Sequence, residues 1–254
     1  MEGESVTKSI TSVQTRVQQV TTKRGGRYYS LTRTKFTDDG LAGEDMTRLY
    51  SVTTLLSRGL PKPALTRWLQ NEVARKAIEY AEQLVTMREN GDEEAAKQML
   101  TAFSGQKRDV AAEAGTAIHQ AIESLGSAQT PAEVAVIMGG LDDEIRPFVH
   151  QFLAFCEDVQ PTFHAQELTC WSERFGYAGT LDAIATINGV RCIIDVKSGK
   201  GAYPEAALQM AAYAHSEFTM AEGDDMPTPT SEWGIVKGYV LHLRPNGWEL
   251  LPVR

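Results

Sequence analysis

The sequence predicts a mixed α/β protein: a mixed β-sheet core flanked by helices, with a helical N-terminal region ahead of it. Three observations predict this. Between Ser51 and Val159 apolar residues recur mostly with a helical period, which marks amphipathic helices. After Pro161 the pattern changes to short strand-like runs separated by turn residues, as expected of strands. One further helical run, Pro204 to Ala221, stands between the third of those strands and the last two, so helices must pack against the sheet that the strands form.

The elements follow in chain order. Val17 to Leu31 alternates apolar and polar residues around Arg24-Gly25-Gly26-Arg27, which suits a β-hairpin turning on paired glycines. A loop containing Asp38, Asp39, Gly40 and Gly43 should follow, after which Ser51-Val-Thr-Thr-Leu-Leu opens a short helix. Pro61-Lys-Pro begins the next helix, because proline is at home in a first helical turn, and the pattern runs from Ala64 to about Asn90 with Gly91 as its stop. Further helices are expected over 92–103, 106–125, 131–138 and 141–159. Strands are expected over 162–174, 179–187 and 190–197, and Asn188-Gly189 is a strong hairpin turn between the last two. After the helix at 204–221 and a surface loop at Asp224-Asp-Met-Pro-Thr-Pro, two strands, 233–243 and 248–252, are joined through Arg244-Pro-Asn-Gly247.

At 254 residues the chain is within the size that one hydrophobic core can serve, about 250 residues, so a single domain over 1–254 is expected. Within it, 1–50 is a basic hairpin and loop, 51–160 a helical region and 161–254 the mixed-sheet core. The hydrophobic share of 42% and the charged share of 23% are those of an ordinary globular protein. No apolar stretch reaches the length of a membrane span, and the N-terminus has neither a basic region nor an apolar core, so a cytoplasmic protein without a membrane partner is expected. The three cysteines, Cys156, Cys170 and Cys192, form no CxxC pair. They support neither a disulfide framework nor an iron–sulfur cluster, which would need four thiolates.

The net charge of −8 speaks at first against a nucleic-acid partner, since phosphate binding is carried by Lys and Arg. Its distribution weakens that objection. Between Ser5 and Thr37 there is no acidic residue, while Arg16, Lys23, Arg24, Arg27 and Arg33 lie among Tyr28, Tyr29 and Phe36. This segment is either a DNA-binding surface, with Arg24 and Arg27 on phosphates, or a solvated edge hairpin guarded by its cations.

The most informative stretch is Gly179-Thr-Leu-Asp182, followed after twelve residues by Asp195-Val-Lys197. Alternate residues of a strand face the same way, so Asp195 and Lys197 share a face. The Asn188-Gly189 turn can bring Asp182 beside them on the adjacent strand. Two neighbouring carboxylates repel, and a hard divalent cation relieves that repulsion through oxygen ligands. Such an ion can bind a scissile phosphate and lower the pKa of a water. A lone DxK is usually a solvated ion pair. Here Ile193-Ile194 precedes it, and a buried strand is a costly place for charge without a purpose.

Asp182 with Asp195-Val-Lys197 resembles the PD-(D/E)XK nuclease superfamily, in particular its RecB-like exonuclease branch. That branch carries a glycine and histidine on a helix, then GxxD, DxK and QxxxY. This sequence has Gly115-Thr-Ala-Ile-His119, Gly179-Thr-Leu-Asp182, Ile194-Asp195-Val-Lys197-Ser-Gly-Lys200 and Gln209-Met-Ala-Ala-Tyr213, in that order. The segments from Ser51 and from Pro61 are also similar to the amino-terminal portion of phage exonucleases and of the mitochondrial genome maintenance exonuclease.

The resemblance implies a restriction-endonuclease-like fold and hydrolysis of DNA phosphodiesters with Mg²⁺ or Mn²⁺. Residue by residue, it implies that Asp182, Asp195, the Val196 carbonyl and His119 hold the metal and that Lys197 positions or activates the attacking water. Gln209 and Tyr213 would complete the catalytic face, and Lys200 would contact nucleic acid. Leu181 stands where the superfamily's name places proline. No GxxxxGK(S/T) motif is present, so DNA unwinding would fall to another protein. The expected partners are DNA and a recombinase, helicase or single-strand-binding protein, with room for a homo-oligomer. The expected role is exonuclease action in phage or bacterial recombination, repair or replication. The rivals are a structure-selective endonuclease on the same fold and a non-catalytic nucleic-acid-binding protein.

Overall fold

The computed structural model describes residues 10–23, 26–128, 130–199, 201 and 204–253. The chain is mixed α/β and divides into two compact units, one of Met1–Gly59 with His150–Arg254 and one of Leu60–Val149.

The first unit holds the sheet. It opens with β1 (Ser12–Thr21) and β2 (Arg27–Thr37), paired antiparallel with Val17 opposite Leu31, as the alternation predicts. The expected loop after them is instead a two-residue turn at Asp38-Asp39 followed by a third strand, β3 (Gly40–Ser51). The correction has a physical cause. Only Leu49 and Ser51 of β3 are buried, so its side chains carry little apolar pattern. It is held by the main-chain ladder to β2 and by Arg48 lying over the Tyr28 ring. The helix α1 (Val52–Gly59) follows as expected.

The later strands are β4 (Thr162–Ser172), β5 (Tyr177–Ile187), β6 (Val190–Lys197), β7 (Phe218–Met220), β8 (Thr228–Pro229), β9 (Lys237–Arg244) and β10 (Gly247–Val253). β4 pairs antiparallel with β5, β5 with β6 and β9 with β10, whereas β6 and β9 run parallel, which makes the sheet mixed. Because β4 occupies one edge of β5, the strands β3 and β6 share the other. β3 takes Tyr177 and Ala178 in a short parallel pair, and β6 takes Ala183 to Ile187. Gly179 to Asp182 lies in the fork between them.

The second helix of this unit was expected over Pro204 to Ala221. The structure ends it earlier, as α7 (Glu205–Ala214), and turns the chain into β7. The Ser216 hydroxyl donates to the Tyr213 carbonyl and meets the Thr230 hydroxyl, so polar groups close the helix end. β7 then pairs with β4, Cys170 opposite Thr219. One core lies under α7, where Ala206, Met210 and Tyr213 pack on Leu168, Leu181, Ile193 and Val240. Another joins the hairpin to β4 and β5 through Tyr29, Leu31, Leu49, Trp171 and Ala178. The long helix α6 (Arg146–Val159) contributes Phe155, which meets Trp248 of β10 edge to face at 5.4 Å.

The second unit is helical. The run expected over 64–90 is two helices, α2 (Pro63–Glu79) and α3 (Ala81–Glu89), broken at Tyr80, whose ψ of 24° leaves the helical region. Tyr80 stacks on Phe103 at 5.2 Å between ring centres, with the Lys76 ammonium over both rings. An aromatic contact therefore coincides with the break. The two helices expected over 92–103 and 106–125 are one, α4 (Glu93–Ser127). Gly105 in its interior costs about 1 kcal/mol relative to Ala, too little to stop a long hydrogen-bond ladder. α5 (Pro131–Gly139) starts with a reciprocal cap, the Thr130 hydroxyl accepting from the Glu133 N–H and the Glu133 carboxylate from the Thr130 N–H. Among the described residues no helix is long and apolar enough to cross a membrane.

Candidate active site

β6 is the best-buried strand of the sheet after its first two residues: Cys192 to Val196 are all buried. Branched apolar residues force this placement, and the strand carries Asp195 inward with them at only 3% exposure. A carboxylate cannot be left there without polar company. Its Oδ1 accepts from the Lys197 ammonium at 2.8 Å and from the Gln209 amide at 3.1 Å. The i, i+2 spacing of a strand brings the lysine, and α7, lying over the sheet, brings the glutamine.

Asp182 stands at the end of the β5 fork. The Val196 N–H donates to Asp182 Oδ2 at 2.7 Å, so this carboxylate touches the backbone between Asp195 and Lys197. The ladder between β5 and β6 stops one residue earlier, at Ala183 opposite Ile194. An aspartate side chain thus takes up a backbone donor where the ladder ends, which is what buried main-chain groups require. Four expected positions, Asp182, Asp195, Val196 and Lys197, are brought together. The contact observed for Val196 is through its N–H.

The structure adds a residue that sequence reasoning missed. A carboxylate oxygen of Glu167 lies within 4.8 Å of one of Asp182. Gln166 pairs with Ala183 and Leu168 with Leu181, so Glu167 faces Asp182 across the strand pair. Its φ of 49° is left-handed, which costs a residue other than glycine roughly 1–2 kcal/mol. Such strain concentrates where a side chain must be re-aimed. The signal was available by counting. The four residues Glu173 to Gly176 close the β4–β5 turn, with Ser172 opposite Tyr177, and the same register continued inward reaches Glu167 and Asp182.

Gly179 and Tyr213 explain each other. A Cβ on Gly179 would lie 2.2 Å from Tyr213 Cε1, so the glycine of one motif exists to admit the aromatic ring of another. Tyr213 is buried at 3% exposure. Burial first, then the neighbouring Cys170, Tyr29, Asp182 and Asp195, pushes its phenol pKa well above the ordinary value. It stays neutral, and its ring is a wedge that holds α7 at a set depth. That depth is what lets Gln209, one turn earlier, reach Asp195. Tyr29 braces the other side of the fork, its hydroxyl 2.9 Å from Thr180 Oγ1 and donating to Gln19 at 3.0 Å. Just past Lys197, His242 Nε2 lies 2.7 Å from the Gly199 carbonyl and pins the chain that leaves β6.

His119 is half-buried on α4, in the helical unit. Arg27 is exposed at the start of β2, with its backbone N–H and carbonyl both bonded to the Thr54 hydroxyl of α1. Arg24 and Lys200 lie outside the described residues.

In chemical terms the sheet unit sets the carboxylate oxygens of Asp182 and Glu167 within 4.8 Å of each other, with Asp195, bonded to the Lys197 ammonium, on the neighbouring strand. That donor set fits a divalent cation such as Mg²⁺ or Mn²⁺ and fits poorly any ion that prefers thiolates. The cysteines reinforce the point: burial pushes the Cys170 thiol up to about 12 and those of Cys156 and Cys192 up to about 11, so they are inert packing. No protein-family model matches this chain, and no curated protein sequence matches it.

Proposed function

We propose that this protein is a divalent-metal-dependent DNA nuclease, acting as an exonuclease in DNA recombination, repair or replication in the cytoplasm. The observation that carries the reading is the contact of Lys197 and Gln209 with Asp195 at 2.8 and 3.1 Å, beside Asp182 bonded to the Val196 N–H. These residues belong to the ordered motifs GxxD, DxK and QxxxY, and in the sheet unit they meet at one place.

Asp182, Asp195 and Glu167 would hold Mg²⁺ or Mn²⁺, which when bound supplies a Lewis acid for the scissile phosphate and a lowered pKa for the attacking water. Lys197 is about one-third exposed in its side chain, so its ammonium can reach both Asp195 and a solvent molecule at the surface of the site. Its task is to orient that water and to offset negative charge as it grows on the phosphate. Gln209 fixes the rotamer of Asp195. Tyr213, through its seat on Gly179, fixes Gln209.

The test is digestion of end-labelled single- and double-stranded oligonucleotides of both polarities with Mg²⁺, Mn²⁺ or EDTA. Loss of mononucleotides from an end, only when metal is present, is the expected result. Digestion that continues undiminished in EDTA would remove the metal from the reading. Intact DNA of every form in both metals would remove the nuclease.

A further inference from the structure

The acidic centre uses β4, β5 and β6 and leaves one chemically distinctive surface over, the outward face of β1, β2 and β3. Strand alternation sends Tyr29, Leu31 and Leu49 into the core, which leaves Arg16, Tyr28, Arg48 and Tyr50 together on the other side. The register places Tyr28 opposite Tyr50, Ser30 opposite Arg48 and Arg16 opposite Thr32. The Arg48 guanidinium lies 4.2 Å above the Tyr28 ring and 6.0 Å from that of Tyr50. Tyr50 is 56% exposed and Met46, next along the face, 75%. A sheet face finished for water alone has little use for a large exposed ring, Tyr50, beside a guanidinium stacked on the half-buried ring of Tyr28.

We propose that this face binds single-stranded DNA, with bases stacked on Tyr28 and Tyr50 and phosphates on Arg48 and Arg16, and leads the strand along β3 toward the acidic centre. The direction of travel rests on the nuclease reading. The binding itself does not.

Three features of the face argue for that ligand. First, aromatic rings and guanidinium planes accept any unpaired base by stacking, which is how sequence-tolerant single-strand surfaces work. In a duplex the base faces are already stacked on one another, so these rings would be idle. Second, charge is distributed to suit phosphate. At the end where Tyr28 and Tyr50 lie, Arg27 and Lys23 are exposed and the Arg58 guanidinium sits beside Gly26. The carboxylates on this side, Glu44 and the Asp225 that accepts from Gln14, are gathered toward the opposite end. Third, the face is continuous with the candidate site. Tyr50 is the partner of Tyr177 in the parallel pair that joins β3 to β5, and Gly179 of the fork is two residues further on.

Fluorescence anisotropy of a labelled oligothymidylate of about 20 nucleotides, titrated in EDTA so that no cleavage intrudes, tests the proposal. Tyr28→Leu/Tyr50→Leu keeps an apolar strand surface and loses the rings. It should weaken binding about tenfold or more, with little change in salt dependence. Tyr28→Phe/Tyr50→Phe should bind as the wild type does. Arg48→Ala should lower the slope of log affinity against log salt by about one. Thermal melts establish that each variant is folded, and Arg48→Ala, which touches no core residue, keeps the question open to refutation if the leucine pair fails to fold. Wild-type affinity in the leucine pair, an unchanged slope in Arg48→Ala, or tighter binding of a blunt duplex than of the single strand would overturn the surface. If the rings bind the strand but no DNA is degraded in Mg²⁺ or Mn²⁺, the nuclease reading fails and the surface stands. If DNA is degraded and the variants bind normally, the reverse holds.

Discussion

β6 and β3 belong to one sheet and border the same strand, β5, yet their side chains live in opposite surroundings. Along β6, Ile193, Ile194, Asp195 and Val196 are all buried, while along β3 Leu49 and Ser51 alone are. A charge therefore means different things in the two places. On β3, Asp45 is fully solvated and its pairing with Lys35 is one of many surface ion pairs, which contribute little to stability. On β6, Asp195 has been carried into the core and must be satisfied by Lys197 and Gln209. For aromatic residues the inference runs the other way. The buried Tyr213 is a packing wedge, whereas Tyr50, 56% exposed, supports the proposed strand-binding face. Chemistry is best read where a residue type contradicts its surroundings.

The largest expected effect breaks the buried half of that comparison. Asp195→Asn should lose Mn²⁺ binding and cleavage together, whereas Lys197→Ala should keep substantial metal affinity and lose cleavage, because an ammonium has no lone pair to offer a cation. The rate loss for Lys197→Ala should be about two to three powers of ten, the usual consequence of removing a charge-stabilising group. Calorimetric titration with Mn²⁺ beside single-turnover cleavage measures both. A Lys197→Ala protein that cleaves at the wild-type rate would show that the pair is structural.

Next in size are effects on stability. Gly179→Ala drives a methyl group into the Tyr213 ring, and overpacking of this kind destabilises by about 1–3 kcal/mol or more. In a Tyr213→Ala background the same change should be nearly free, so urea denaturation of the four proteins should show strong non-additivity. Purely additive losses would separate the two motifs again. Ile194→Ala, in the buried strand, should cost about 2–5 kcal/mol, while Met46→Ala on the exposed face should stay within about 0.5 kcal/mol. Equal losses at the two positions would erase the contrast between β6 and β3.

The smallest effect concerns pH. Glu217 accepts from the Arg174 backbone N–H and from the Ser172 hydroxyl, both at 3.0 Å, and so ties the β4–β5 turn to β7. The Arg174 N–H, with the Ser172 bond after it, holds its pKa below the ordinary 4.5. The folded state therefore binds this proton less readily than the unfolded chain does. The stabilisation is complete above about pH 4.5 and is lost as the pH falls through the lower folded value. The stability gap between wild type and Glu217→Gln should shrink on acidification from about pH 6 to 3. A gap that is constant over that range would mean the carboxylate makes no charged contribution.

Much of this protein could be read from its sequence, for local reasons. The pairing of β1 with β2, the Asn188-Gly189 turn, the helix beginning at Pro131 and the order of β4, β5 and β6 depend on turn chemistry and on periodicity within a few residues. Asp182, Asp195 and Lys197 were legible because Ile193 and Ile194 marked a strand too buried for idle charges, and Gln209 through the resemblance of Gln209-Met-Ala-Ala-Tyr213 to the QxxxY motif. Tertiary structure decided the rest. β3 has almost no apolar alternation, and only its pairing with β2 and β5 makes it a strand. The helix expected to run to Ala221 stops at Ala214 because β7 gains a place beside β4. Glu167 joins Asp182 only once the β4–β5 register brings two distant positions face to face. Gly179 shows why such features escape a linear reading. Its reason for being glycine is a tyrosine ring thirty-four residues later in the chain, and steric exclusion between distant segments leaves no trace in the spacing of either.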